Sequence, residues 1–394
     1  MPFSLLQKDI QAFIKANASA DLVKLALQKN PFSNNDWRLI IEQIACLQKA
    51  KDKLPTWFNT DDIIYPSKIS IEQTSSEKTA LYKSTLISGK TIIDLTGGFG
   101  VDDYYFSKHF ESVVHCEMNE ALSNIVKHNY QKLDVENCQF FVGDSFDILK
   151  QLNQNFDWIY IDPSRRNDSK GKVFMLKDCL PNVVDLMDFY FQYSTQILIK
   201  TAPILDITAG LNELNNVKKI HIVAVENEVK ELLWEISKDY NGTVEIDTVN
   251  LKKEQPEHFQ FALTESPTNI NYSLPKTYLY EPNAAIMKSG GFNEVGLQFN
   301  LEKLHPHSQL YTADVIKEFP GRIFKIEHAF PYQKSEMKTF LEGKKANLTT
   351  RNFPDAVEVI RKKWKITAGG HQYCFFTTNM NNRKIVLLCA KIEN

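Results

Sequence analysis

The stretch TIIDLTGGFG, residues 91–100, constrains the fold of this chain more than any other part of it. Ile92 and Ile93 suit a parallel strand covered on both faces. Gly97, Gly98 and Gly100 allow a tight turn and a close approach of the backbone to a ligand. Residues 101–109 can continue as a helix, so the amides of the turn would point from a helix N-terminus. A strand, a glycine turn and a helix, in that order, build a cofactor site in open α/β sheets.

The next strand ends extend the pattern. Residues 112–116 (SVVHC) read as a second strand, with Glu117 at its end. An acid there, about twenty residues past the glycine turn, accepts hydrogen bonds from ribose hydroxyls. A nicotinamide or flavin enzyme fits equally well at this level. Residues 138–142 (CQFFV) lead into Gly143, Asp144 and Ser145. Residues 156–161 (FDWIYI) lead into Asp162, Pro163, Ser164, Arg165 and Arg166. Four successive strands thus end in polar residues, which a parallel sheet would gather along one edge. Each of these residues also has a structural reading. Glu117 or Asp144 can be a helix cap or a solvated acid, and Asn119 can cap a helix over 120–131.

With DLTGGFG at 94–100, Glu117, Gly143-Asp144-Ser145 and Asp162-Pro163, the chain resembles the class I S-adenosylmethionine-dependent methyltransferases. The resemblance implies S-adenosylmethionine as cofactor and a Rossmann-like sheet. It places the turn, Gly97, Gly98 and Gly100, under the methionine end of the cofactor. Asp94 would hold the methionine amino group, Glu117 the ribose, and Asp144 with Ser145 the adenine amine, while Met118 packs on the adenine. Thr96 stands where the family has its first glycine. Asp162-Pro163 would hold the group to be methylated. Base N-methyltransferases carry an aromatic residue shortly after that proline, whereas Ser164 and Arg165 stand here. Arg165 or Arg166 can stack on a base or clamp a phosphate, or form a surface pair. A covalent C5-pyrimidine mechanism needs a cysteine nucleophile. The late strand gives Lys200-Thr201-Ala202-Pro203 and no cysteine, so exocyclic nitrogen is the expected target. Lys200 is a further candidate for substrate contact, or a strand-end lysine reaching solvent.

Four regions follow along the chain. Residues 1–71 read as helical, from apolar residues such as Leu6, Ile10 and Ile14, then Ile40, Ile41 and Ile44, at helical spacing. Ser75 or Ser76 is a natural N-cap for a helix ending near 86; Ser76 and Thr79 alternatively touch the cofactor's methionine carboxylate. The methyltransferase core covers 72–270. It continues with a helix over 179–193, a strand over 196–200, a strand over 220–225 and a helix over 228–237. Closing strands lie near 243–249 and 259–264. Residues 271–320 form a small ferredoxin-like α+β piece. Residues 321–394 alternate strand, helix, strand and helix before a hairpin. The expected second helix spans 354–363 with Pro354 in its first turn. This order, with YLYEPNAAIMKSG, NLTTRNFPDAVEVIRKKWKI and the basic Lys344, Lys345, Arg361, Lys362 and Lys363, resembles the THUMP-like modules of some RNA-modifying methyltransferases.

Charge supports an anionic partner for that end. Residues 321–394 hold 14 Lys plus Arg against 6 Asp plus Glu, so they carry +8 while the rest of the chain carries −10 of the net −2. A basic segment on an acidic chain suits a nucleic acid, although a solvated basic face looks the same. With 43% hydrophobic and 24% charged residues the composition is that of a soluble globular protein. No apolar run has the length of a membrane span. The six cysteines include no CxxC pair, so neither a zinc site nor a disulfide framework is indicated. These features lead to the expectation of a cytoplasmic enzyme that methylates RNA, without a metal. The competing readings are a small-molecule or protein methyltransferase whose C-terminal part serves assembly, a binding protein without turnover, and a nicotinamide oxidoreductase.

Overall fold

Ile92 and Ile93 are buried in the middle of a largely parallel sheet. The computed structural model describes residues 2–32, 36–165, 175–264 and 269–392. The chain divides into two compact units, Met1–Lys218 with Lys230–Gly242, and Lys219–Val229 with Thr243–Asn394.

The first unit starts with α1 (Lys8–Ala16), α2 (Leu22–Ala26), α3 (Trp37–Lys53), α4 (Pro55–Asn59) and α5 (Lys68–Gln73). Asp21 and Asp36 cap α2 and α3 by accepting from main-chain N–H groups. Next come α6 (Glu77–Leu86), β1 (Thr91–Asp94), α7 (Val101–Phe106), β2 (Ser112–Glu117), α8 (Glu120–Lys132), β3 (Cys138–Val142), α9 (Ser145–Leu152) and β4 (Trp158–Ile161). A short antiparallel pair, β5 (Ser164–Arg165) and β6 (Cys179–Leu180), precedes α10 (Val183–Tyr190), β7 (Gln196–Thr201), α11 (Ile207–Glu213), β8 (Val217–Val225) and β9 (Glu228–Ser237). In space β3, β2, β1, β4 and β7 lie side by side and parallel, and β9 runs antiparallel beside β7. The carboxyl ends of β1 to β4 therefore share one edge. Ser76 and Asn119 cap α6 and α8, as their positions suggest.

Two expectations for this unit are corrected. Residues 228–237 form a strand, not a helix. Their Glu, Lys and Leu content favours a helix locally, but Leu232, Leu233, Trp234 and Ile236 are all buried, which requires cover on both faces. The segment 179–193 is helical only from Val183 to Tyr190, because Cys179 and Leu180 pair with Arg165 and Ser164.

The N-terminal helices share a core with the sheet's helices. Trp57 of α4 is fully buried, with its ring 4.9 Å from Tyr104 and 6.2 Å from Phe99. Asn129 of α8 satisfies both the N–H and the C=O of Ile64, at 3.0 and 2.8 Å. Truncating a side chain buried like Trp57 costs about 3–5 kcal/mol, so this region is structurally bound to the sheet's helices α7 and α8.

In the second unit β8, from Lys219 on, pairs parallel with β10 (Glu245–Leu251), and β10 pairs antiparallel with β11 (Glu257–Ala262). There follow β12 (Tyr278–Pro282), α12 (Ala284–Ser289), α13 (Phe292–Gln298), β13 (Glu302–Lys303), β14 (Tyr311–Ala313), β15 (Gly321–Pro331), α14 (Lys334–Phe340), β16 (Asn347–Arg351), α15 (Val357–Trp364), β17 (Gln372–Thr378) and β18 (Lys384–Lys391). The seven strands from β12 on form one sheet, in the order β13-β14-β12-β15-β18-β17-β16. The stretches 271–320 and 321–394 thus meet within a single sheet, at the β12–β15 pairing. Pro354 precedes α15 instead of opening it. Ala356, in extended conformation, is the cap, so the helix starts three residues later than the proline suggests.

Candidate cofactor and catalytic site

β1 ends at Asp94, which is buried and accepts from the Thr96 N–H at 2.7 Å and the Thr96 hydroxyl at 2.9 Å. The turn then passes through Gly97, whose N–H bonds the Cys116 carbonyl at 2.8 Å. Gly98 has φ +55° and Gly100 φ +72°, values that side chains rarely adopt. A Cβ on Gly100 would lie 2.7 Å from Val126 Cγ1, so this glycine lets α8 pack against the turn. A Cβ on Gly98 would meet only the Thr96 carbonyl, at 3.6 Å, so this face of the turn is open.

Glu117, at the end of β2, accepts from the Gly98 N–H at 3.0 Å through Oε2 and from the Asn119 N–H at 2.8 Å through Oε1. One carboxylate thus fixes both the glycine turn and the start of α8. Met118 beside it is 63% exposed, which leaves its side chain available to a flat ligand. Asp144 caps α9 by accepting from the Phe146 N–H at 2.9 Å. Ser145 is the first residue of that helix.

Beneath the turn lies a group the sequence reading did not pick out. Asp103 of α7 and His115 of β2 are fully buried, with His115 Nδ1 2.7 Å from Asp103 Oδ2. Burial, and then the neighbouring Asp103, hold the Asp94 carboxyl well above the usual range. Burial and Asp102 do the same to Asp103, and burial pushes His115 down.

A second group runs from α6 to β7. Lys83 has no exposed side-chain surface; its Nζ is 2.8 Å from Asp102 Oδ1, 3.3 Å from Glu231 Oε2 and 3.2 Å from Ser75 Oγ. Asp102 also accepts from the Tyr160 hydroxyl at 2.8 Å and from Ser75 Oγ at 2.9 Å. Lys200 of β7 forms an ion pair with Asp162. Burial alone would lower the Lys200 pKa, but Asp162, Asp102 and Glu231 outweigh it and hold the ammonium above its usual value. Lys200 therefore does not reach freely into solvent; it belongs to the strand-4 acid. Lys83, Asp102, Tyr160 and Glu231 had no motif to mark them, and Ser75 was marked only as a candidate helix cap. The repeated acid in VDD after the glycine turn was the one available signal.

Residues 74–177 match a family described as conserved hypothetical protein 95, residues 278–320 a ferredoxin-like domain, and residues 321–391 a THUMP domain-like family. A solved structure described as a putative methyltransferase from Porphyromonas gingivalis W83 is 30% identical, with a TM-score of 0.86, covering 98% of this chain and 99% of that one. The chain belongs to that family, the class I S-adenosylmethionine-dependent methyltransferases with a C-terminal THUMP-like domain. Two relatives match over shorter stretches. An uncharacterized RNA methyltransferase from Clostridium acetobutylicum is 30% identical over 148 residues, 34% of this chain and 32% of that protein. A second, from Clostridium tetani, is 27% identical over 96 residues, 24% of this chain and 21% of that protein. The chain thus spans a third or less of the length of these two relatives.

The residues at the methyltransferase's β1 and β2 ends fit a nucleoside-bearing cofactor. The turn offers an open face at Gly98, Glu117 offers an ordered carboxylate, and Met118 offers an exposed apolar side chain. On the acceptor side, Pro163 is buried and Arg165 lies in β5 opposite Cys179. Arg166 falls outside the described residues.

The basic positions of the C-terminal part do not form one uniform set. Lys344, Lys345 and Lys362 are exposed. Lys363 is exposed as well, and its Nζ sits 5.4 Å from the Tyr332 ring centre and 5.6 Å from that of Trp364. Arg361 is half-buried. Its guanidinium donates to the Ala346 carbonyl at 3.1 Å and lies 3.5 Å from that of Ile366, tying α15 to the neighbouring chain.

Proposed function

We propose that the protein transfers a methyl group from S-adenosylmethionine to RNA, at an exocyclic base nitrogen. The observation that carries this reading is the common edge of β1, β2, β3 and β4, where Asp94, Glu117, Asp144 and Asp162 end their strands side by side. Two curated relatives named as RNA methyltransferases and the basic THUMP-like end support RNA as the substrate.

The cofactor supplies an electrophilic methyl group on a sulfonium. Asp94, Gly97, Gly98 and Gly100 would hold its methionine end, Glu117 and Met118 its ribose and adenine, and Asp144 with Ser145 the adenine amine. Asp162 accepts a hydrogen bond from the target amine and leaves the nitrogen lone pair directed at the methyl carbon. In-line attack would form the nitrogen–carbon bond as the sulfur–carbon bond breaks, with the amine proton departing to water. Such a displacement depends mainly on alignment, which can contribute roughly 7–11 kcal/mol. Lys200 keeps the Asp162 carboxylate in place. Pro163 would line the acceptor side, Arg165 and Arg166 would supply cations for a base or a phosphate, and Lys344, Lys345, Lys362 and Lys363 would attract the phosphate backbone. A C5 route lacks its nucleophile: Cys179, the cysteine paired opposite Arg165, is fully buried with Sγ 3.8 Å from the Met175 carbonyl.

The test uses purified protein, tritiated methyl donor and total RNA from a strain lacking the gene. Incorporation that disappears with Asp162→Ala supports the reading. Replacing Lys344, Lys345 and Lys362 together by Glu should weaken RNA binding and flatten its salt dependence. These point changes are cleaner than removing residues 321–394, which would strip β12 of its β15 partner. Donor binding by calorimetry without incorporation into RNA would instead favour a protein or small-molecule substrate.

A further inference from the structure

The β1–β4 ladder ends before the chemistry begins. The last paired residues are Asp94 and Tyr160, and the last main-chain bond runs from the Leu95 N–H to the Tyr160 carbonyl at 3.0 Å. Beyond that point the two strands lead into different loops, one on the donor side and one on the acceptor side. The Asp162 N–H has no strand partner there. It donates instead to the Thr96 hydroxyl oxygen, at 2.7 Å. The same hydroxyl donates its single hydrogen to Asp94 Oδ1, at 2.9 Å. One side chain thus adds a rung to the ladder and joins the two acids that flank the reaction.

We infer that Thr96 is a positioning residue that sets the acceptor-side Asp162 against the donor-side Asp94, and that it is not itself a ligand of the cofactor. The inference rests on the methyl-transfer reading above. The hydroxyl's hydrogen is committed to Asp94 and an oxygen lone pair to Asp162, so the group relays position in a fixed direction. The Asp94 carboxylate also takes the Thr96 N–H, at 2.7 Å, which holds the residue at two points. The β-branched side chain restricts χ1, so the oxygen keeps its place between the two loops. Lys200 holds the Asp162 side chain from the other side, so Asp162 is fixed through both its main chain and its carboxylate. A glycine at this position could form no such bridge. A displacement of about 1 Å between reacting groups can cost a hundredfold in rate.

The test compares wild type, Thr96→Val and Thr96→Ser. Thr96→Val keeps the shape and loses both hydrogen bonds, while Thr96→Ser keeps both. We expect Thr96→Val to lower kcat for methyl incorporation by about ten- to a hundredfold, with donor Kd from calorimetry changed less than about threefold. Thr96→Ser should restore most of the rate. A loss confined to donor affinity would make Thr96 a cofactor ligand and overturn the inference. An unchanged kcat in Thr96→Val would overturn it too. Amide hydrogen exchange gives a second readout that needs no substrate: the Asp162 N–H should exchange slowly in wild type and Thr96→Ser, and at least tenfold faster in Thr96→Val. Equal exchange in all three proteins would also refute the bridge. If wild type itself transfers no methyl group to any pool, the functional reading fails, and the exchange result still decides whether the bridge exists.

Discussion

Lys83 and Asp102 form an ion pair at 2.8 Å in which the lysine side chain has no exposed surface. Breaking a buried pair by removing one partner typically costs 3–5 kcal/mol, because the other charge is left without compensation. Lys83→Met strands Asp102 and Glu231 together, so we expect a loss of about 3 kcal/mol or more in denaturant unfolding at pH 7. Lys127→Met, on the exposed face of α8, serves as control and should change stability by less than about 0.5 kcal/mol.

Gly100→Ala should damage the turn. The backbone there has φ +72°, and the new Cβ would fall 2.7 Å from Val126 Cγ1 and 2.9 Å from the Tyr130 hydroxyl. Strain of this kind costs about 1–3 kcal/mol before the clash is counted. A lower Tm and weaker donor binding should appear together. Gly290→Ala has a comparable φ, +77°, but open space around its Cβ, so it should lose less stability and leave donor binding intact.

Glu117→Ala removes the acceptor for the Gly98 and Asn119 N–H groups. Each hydrogen bond to a charged group is worth about 1.5–3 kcal/mol, so losing the order of the turn should weaken donor binding by about tenfold or more. Asp144→Ala removes the cap of α9. If it weakens donor binding well beyond its effect on Tm, Asp144 holds the cofactor as well as the helix. Calorimetric Kd values alongside Tm values check both variants.

Lys53 should titrate unusually low. Burial, followed by the charges of Lys200, Lys230 and Lys49, lowers its pKa from 10.5 to about 8. Between these two values the unfolded chain binds more protons than the folded one. This group therefore makes stability rise with pH from about 8 to about 10.5, while below pH 8 its cost is fully present. The Lys53 13Cε resonance should titrate near pH 8. In Lys200→Met a neighbouring cation is gone, so the midpoint should move upward; an unmoved midpoint would show that the two ammonium groups do not interact.

The cofactor half of the site was legible because its chemistry is local. Gly98, Gly100, Glu117 and Asp144 stand at strand ends, and the alternation of apolar runs with polar ends predicts those strands. The acceptor half was less legible. The sequence offers Lys200 as a substrate contact or as a strand-end lysine reaching solvent, and only the packing of β7 beside β4 makes it the partner of Asp162. Residues 228–237 were misread for the same kind of reason. Local propensity favours a helix, and burial on both faces overrides it.

By itself, the sequence determined the strands β1 to β4, the glycine turn and the acids that end those strands, since these depend on neighbours a few residues apart. Tertiary structure decided which of the polar side chains meet. The Lys83–Asp102–Glu231 group draws on α6, α7 and β9, and the Thr96 bridge draws on the ends of β1 and β4. Partners that far apart in the chain are chosen by sheet order and burial, which no local pattern records. The same holds for Arg361, whose charge suggested a ligand and whose fold-given neighbours are main-chain carbonyls.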